Sequence, residues 1–166
     1  MSASPPAGDA GRLTATPPED EPAGEREWSY SHVDTVRFAD LDPMRHLNNV
    51  SFLQFFENAR IKFISSVIGD RRADDLGDFG LIFAECHINY RAPAFYDESI
   101  RTYVRAGEVR RSSFRVHFLM RSERDGRTLA EGWGAIVGYD YTSGRARPLP
   151  DSVREALAAA GAGTET

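Results

Sequence analysis

Cysteine is almost missing from this chain: Cys86 is the only one among 166 residues. No intrachain disulfide is therefore available and no cysteine-rich metal site can form, so a reducing, cytoplasmic compartment is the expectation. Lysine is equally scarce, since of 20 basic residues only Lys62 is lysine. With abundant Ala, Gly and Arg, this is the codon bias of a GC-rich genome and implies a bacterial source. A long apolar run is missing as well. The longest near-apolar stretch, 50–68, is broken by Gln54, Glu57, Asn58, Arg60 and Lys62, which is too polar for a bilayer span and leaves no membrane crossing to expect. There is no excess of positive charge either, the formal net charge being −5. Most of it falls on the first 27 residues, where Asp9, Glu19, Asp20, Glu21, Glu25 and Glu27 stand against Arg12 and Arg26. The remainder is nearly neutral and carries no basic stripe, so a nucleic-acid partner is excluded as an expectation. Asp78-Phe79-Gly80 has no glycine-rich nucleotide loop to accompany it and is a chance tripeptide.

What is present fits one globular domain, with 41% hydrophobic and 27% charged residues able to offset the entropy of ordering the chain. Residues 1–27 hold five of the nine prolines and are expected to be a disordered arm. The domain is expected over 28–160, with a disordered tail over 161–166. A loosely alternating strand is expected from His32 to Phe38, and the polar, Pro43-containing stretch 40–49 must then be a loop. Asn48 or Asn49 suits the N-cap of a helix over 50–68 that is apolar on nearly all faces, with Gly69 as its stop. Four period-2 segments follow, centred on Ile82–Tyr90, Ile100–Ala106, Phe114–Arg121 and Leu129–Tyr139. Their short links, including the Asp125-Gly126 turn, make them antiparallel neighbours. A small helix is expected from Asp151 to Ala160. The class is α+β, with the sheet curling around one long helix. Such a helix cannot be covered by one small sheet, so self-association is expected.

Acids, a histidine and amides gather between Arg37 and Asn49, at the start of that helix. Capping of orphan helix amides explains such residues, and so does a catalytic carboxylate beside an anion-stabilising helix end. An aspartate is already ionised at neutral pH, and where an ester or thioester is presented to it, it can attack the carbonyl or activate water. The amides of Asn49, Val50 and Ser51 are candidate oxyanion donors, aided by the helix dipole.

The ordered set Asp40-x-Asp42-x-x-x-His46-x-Asn48-Asn49, then Phe52-Leu53-Gln54-Phe55-Phe56-Glu57-Asn58-Ala59-Arg60, resembles the hotdog-fold acyl-CoA thioesterases of the 4-hydroxybenzoyl-CoA thioesterase group. The resemblance runs from about Ser31 to Leu157 and takes in Tyr90-Arg91-Ala92-Pro93, Arg111-Ser112-Ser113 and Arg147-Pro148-Leu149-Pro150. It implies a five-stranded antiparallel sheet wrapped around one long central helix, homodimers or homotetramers, and catalysis without metal or cofactor. The implied reaction is hydrolysis of an acyl thioester, fatty or aromatic, to the free acid and CoA, with a carrier-protein thioester as the other form of substrate. The family's catalytic carboxylate falls on Asp42, which leaves Asp40 to loop structure. His46, Asn48 and Asn49 fall on its helix-start segment, where binding or orienting roles stand beside simple capping. Two positions depart from the pattern: Arg45 stands where a glycine is usual, and Phe52 where a tyrosine is common.

Glu57 is the other acid to consider, and Arg60 three residues on makes it half of a structural ion pair. His87 and His117 alternate with apolar strand residues and are expected at the surface. Arg110 and Arg111 are candidates for contacts to CoA phosphates, although a solvated turn explains them equally well. Two rivals remain. A hotdog enoyl-CoA hydratase carries Asp-x-Asn-Pro-x-His, from which Asp40-Leu41-Asp42-Pro43-Met44-Arg45-His46 departs at the Asn and by one residue at the His. A non-catalytic acyl-binding protein is kept open by Arg45.

Overall fold

In a computed structural model of the chain, residues 28–69 and 79–161 are described. The expected arm (1–27), most of the polar link after Gly69 (70–78) and residues 162–166 of the expected tail lie outside the described residues. In chain order the elements are β1 (Tyr30–Thr35), a 3₁₀ turn (Phe38–Asp40), α1 (Asn49–Ile68), β2 (Phe79–Tyr90), β3 (Ser99–Val109), β4 (Ser113–Ser122), β5 (Thr128–Asp140), β6 (Arg145–Ala146) and α2 (Asp151–Ala159). The strands form one sheet in the order β1-β3-β4-β5-β2, with β6 added to β5, and every pairing is antiparallel. Beyond the five expected strands, β6 is two residues long, too short to leave a period-2 trace.

The first strand ends earlier than expected. Val36 is fastened sideways, donating to Glu98 O (2.9 Å) and accepting from Asp97 N (3.0 Å). Phe38 then opens the 3₁₀ turn and is 80% exposed instead of lying in the sheet.

Asn48 caps α1, its side chain accepting from Val50 N at 2.9 Å, and Gly69 ends it at φ 80°, a left-handed value suited to glycine. Ser51, Phe52, Phe55, Phe56, Ala59, Arg60 and Phe63 are buried, while Gln54, Glu57, Asn58 and Lys62 are exposed together with Val50, Leu53 and Ile61. The sheet thus covers only part of the helix, as its nearly all-round apolar pattern led one to expect, and leaves three apolar side chains exposed. The buried face lies on the sheet: Phe56 stacks on Phe118 with ring centroids 4.0 Å apart, Phe52 meets Tyr90 edge-on, and Tyr30 packs on Phe63. Gly134 makes room for this, because a Cβ there would fall 2.2 Å from the Phe83 ring. Each such buried phenylalanine contributes about 1.5–3 kcal/mol.

At one end of the sheet Thr35 pairs with Ser99, which gathers the loops on either side, 36–48 and 91–98. The β3–β4 turn lies at the other end of β3, about 33 Å away at the usual rise per residue.

Candidate active site

The loop between β1 and α1 is closed on itself. Leu41 and Leu47 form an antiparallel bridge, Asp42 N donates to His46 O (2.8 Å), and Arg45 N donates to Asp42 O (3.0 Å). Arg45 takes φ 65° to close this turn.

The two aspartates of the loop have different surroundings. Asp40 is 3% exposed and accepts from Arg37 N (2.8 Å), Arg37 Nε (3.0 Å) and Arg37 Nη2 (2.8 Å). The Arg37 hydrogen bonds hold its carboxyl below the usual carboxylate range against the opposing effect of burial. Its carbonyl accepts from Asn48 N and from Ser51 Oγ, so Asp40 ties the 3₁₀ turn to the first turn of α1. Asp42 is half-buried. Its Oδ1 accepts from Met44 N (2.8 Å) and His46 N (3.1 Å), which fixes the carboxyl plane. Its Oδ2 makes no hydrogen bond among the described residues.

Asp42 lines an open cavity of about 860 Å³ with Phe38, Leu41, Pro43, Arg45, Phe95 and Tyr96. The wall carrying Phe95 is held from behind. Glu98, 1% exposed, accepts from Phe95 N (2.9 Å), from Ser122 Oγ and from Arg127 (2.6 Å). The Arg127 guanidinium also stands over the Phe95 ring. A carboxylate with one pinned and one unengaged oxygen, in an aromatic pocket, can act as base or nucleophile on a bound carbonyl compound.

The other residues expected at the site are spread around this loop and beyond it. His46 touches Asp42 through its backbone, while its ring packs edge-on against Phe95. Asn48 is the cap, and Asn49 O accepts from Tyr90 Oη at 3.3 Å. The Val50 amide, expected to be an oxyanion donor, is taken by Asn48 Oδ1, which corrects that expectation. The amides of Asn49 and Ser51 make no hydrogen bond among the described residues. None of His46, Asn48, Asn49, Val50 or Ser51 is among the residues lining the Asp42 cavity. Glu57 pairs with Arg60 at 3.2 Å, and the Arg60 guanidinium lies 4.0 Å from the centre of the Phe83 ring. Arg110 pairs with Glu108 at 2.7 Å, and Arg111 O accepts from Leu149 N. Both arginines sit at the β3–β4 turn, so within one chain they do not meet the Asp42 loop. His87 stacks on Trp133 on the outer face of the sheet. The hydratase alternative needs Asp40 and His46, but both Asp40 oxygens are taken by Arg37 and the His46 ring lies edge-on against Phe95, outside the residues lining the cavity. Among the described residues no group of three or more His, Cys, Asp or Glu side chains is placed to hold a metal ion.

Phe38, Phe95, Tyr96 and Arg45 line the cavity without having been singled out as binding residues. The available signal was two adjacent aromatics, Phe95-Tyr96, in a proline-containing connection where no core position calls for them.

Comparison with known proteins identifies the family of this fold. Residues 36–157 match the model of the thioesterase-like superfamily. The YsmA protein of Bacillus subtilis (strain 168) is 26% identical over 140 residues, covering 83% of this chain and 92% of that protein. A thioesterase from Thermus thermophilus, solved in complex with coenzyme A and Zn, is 32% identical, with 80% of this chain and 94% of that one covered at a TM-score of 0.68. Slr0204 of Synechocystis, a 1,4-dihydroxy-2-naphthoyl-CoA thioesterase, shares the fold at a TM-score of 0.70 and 20% identity, covering 78% of this chain and 95% of that one. With the family match spanning most of the described residues, the chain belongs to the thioesterase-like superfamily and is a thioester hydrolase on a hotdog fold.

Proposed function

We propose that the chain hydrolyses an acyl-CoA thioester and that Asp42 is its catalytic carboxylate. One observation carries this reading: Asp42 Oδ2 is unengaged in a cavity lined by apolar and aromatic side chains, while Oδ1 is pinned by two backbone amides. The coenzyme A held by the Thermus relative supports CoA as the thiol half. Two routes fit. Oδ2 either takes a proton from a water whose oxygen adds to the thioester carbonyl, or itself adds to that carbon to give a mixed anhydride that water then cleaves. In both, the C–S bond breaks, the thiolate leaves with little need of acid assistance, and water is the only co-reactant.

The test is a thiol-release assay with short, long and aromatic acyl-CoAs and a carrier-protein thioester, on wild-type protein and Asp42→Asn. Release from at least one CoA thioester, lost in the variant, is expected. Binding of acyl-CoA without release from any of them would instead identify a non-catalytic acyl-binding protein. A single turnover in ¹⁸O-labelled water tests the anhydride route: water adding at the Asp42 carboxyl carbon of the anhydride releases unlabelled acid and leaves the label on Asp42, whereas the general-base route puts the label on the acid and none on Asp42.

The active form is assigned as a homodimer or homotetramer. β2 stands at the end of the sheet order, its free edge is twelve residues long, and Phe83, Tyr90, Val50, Leu53 and Ile61 are exposed on this side of the molecule and on α1. A second copy covers such an edge and such side chains. A cytoplasmic site of action belongs to the same reading and rests on the single cysteine; among the described residues, no helix is long and apolar enough to cross a membrane.

A further inference from the structure

We propose that Arg45 is the anion-docking residue of the Asp42 site, and that the substrate carries a phosphate or carboxylate group that pairs with it. This rests on reading Asp42 as the catalytic carboxylate of a thioesterase. Arg45 holds φ 65°, a left-handed conformation that strains a residue with a Cβ and that glycine adopts freely. The loop closes through backbone bonds that glycine would make equally well, so the arginine brings nothing to the turn itself. Its contribution lies in the side chain.

That side chain lines the same cavity as Asp42 and is the single cation among the lining residues. The arginines nearby are already neutralised, Arg37 by Asp40 and Arg127 by Glu98 and Asp125. Among the described residues the Arg45 guanidinium has no ion-pair or hydrogen-bond partner; only its backbone N–H is engaged, with Asp42 O. An anionic substrate approaching Asp42 would meet like charge, and Arg45 cancels that charge at the cavity mouth. Its planar fork suits the paired oxygens of a phosphate or carboxylate. Arg110 and Arg111, the other candidates for this contact, lie at the far end of β3 in the same chain.

The anion has two chemical sources, the phosphates of the CoA half or a second carboxylate on the acyl half. KM and kcat are measured for wild type, Arg45→Gly and Arg45→Lys with three thioesters: a neutral acyl group on CoA, the same group on pantetheine, and a carboxyl-terminated acyl group on pantetheine. For Arg45→Gly the ratio of KM on a charged substrate to KM on the neutral pantetheine thioester is expected to rise about tenfold or more, the usual scale for a charge-assisted hydrogen bond. Arg45→Lys restores part of the difference. A rise confined to the CoA substrate assigns the phosphates, and one confined to the carboxyl-terminated substrate assigns the acyl half. Unchanged ratios, or an equal rise on all three, overturn the proposal. Should the wild type hydrolyse none of them, the thioesterase reading fails, and calorimetric titration with CoA and with a dicarboxylic acid decides this proposal by itself. At least tenfold weaker binding of either by Arg45→Gly sustains it; equal binding, or none to wild type, ends it.

Discussion

Replacing Asp42 with asparagine removes one negative charge from the site while keeping the side chain's shape and one acceptor oxygen. The Oδ1 bonds from Met44 N and His46 N survive as neutral hydrogen bonds, so the loop stays closed. Each of the two bonds drops from about 1.5–3 to about 0.5–1.5 kcal/mol. Partial exposure of the group reduces this loss, leaving about 1 kcal/mol or less of destabilisation, a shift of a few degrees in melting temperature. The chemical loss is larger. An amide neither takes a proton from water nor adds to a thioester carbonyl, and one positioned acid–base group is worth at least about 10²-fold in rate, or about 2.7 kcal/mol of barrier. Thiol release under saturating substrate and thermal unfolding on the same preparations give the two quantities side by side. A well-folded Asp42→Asn protein that releases thiol at the wild-type rate would refute the assignment of the catalytic carboxylate, whatever the acyl group.

Asp40→Asn is expected to show the opposite balance, with the larger effect on melting temperature. Because the folded Asp40 carboxyl is held below its ordinary value by Arg37, its stabilising contribution is present above the unfolded value of about 3.9 and is lost as pH falls through the lower, folded one. A melting-temperature scan from pH 6 to pH 2 should therefore fall less steeply for Asp40→Asn than for wild type. Glu98→Gln leaves Arg127 without its buried partner and should cost about 2–3 kcal/mol in chemical denaturation, below the range for a fully buried pair because Arg127 reaches solvent; KM should rise as the Phe95 wall loosens. Light scattering should give at least a dimer, and Leu53→Glu with Ile61→Glu should shift it toward monomer without unfolding it, since both side chains are exposed. A monomeric wild type would remove the basis for assigning an oligomer.

Elements governed by repeating patterns were legible in the sequence. α1 and the four long strands fall within a few residues of the positions that their periods predict, because burial on one face imposes that spacing. The failures lie where backbone contacts distant in sequence decide. Phe38 continued an apparent alternation, yet the pairing of Val36 with Glu98 O and Asp97 N ends the strand before it. Glu98 gives no sequence signal of being fully buried, since its partners Ser122 and Arg127 come from the end of β4 and from the turn after it. The apolar count on α1 showed that one sheet would leave part of it uncovered, but not that Val50, Leu53 and Ile61 are the side chains left out. At the candidate site, the motif pointed to Asp42 but gave no sign of the cavity beside it. Phe95 and Tyr96 reach it only because the 91–98 loop is fastened to the 36–48 loop across the end of the sheet.

Asp40 and Asp42 differ in what their oxygens are given to do, and the proposed division of roles rests on that difference. Both oxygens of Asp40 are committed to Arg37, a pairing that favours the carboxylate and also blocks it, since an attacking or proton-accepting oxygen must give up a bond first. Asp42 has its geometry fixed by one oxygen and its reactivity left on the other. The amides that pin Oδ1 come from Met44 and His46, the two residues that flank the left-handed Arg45. The same turn therefore aims the carboxylate and carries the cation. A change at position 45 that relaxed the turn would move Asp42 as well, whereas Arg45→Gly, which keeps a left-handed residue there, alters the charge and leaves the aim intact. That is why glycine, and not alanine, is the informative substitution for separating substrate docking from catalysis in this loop.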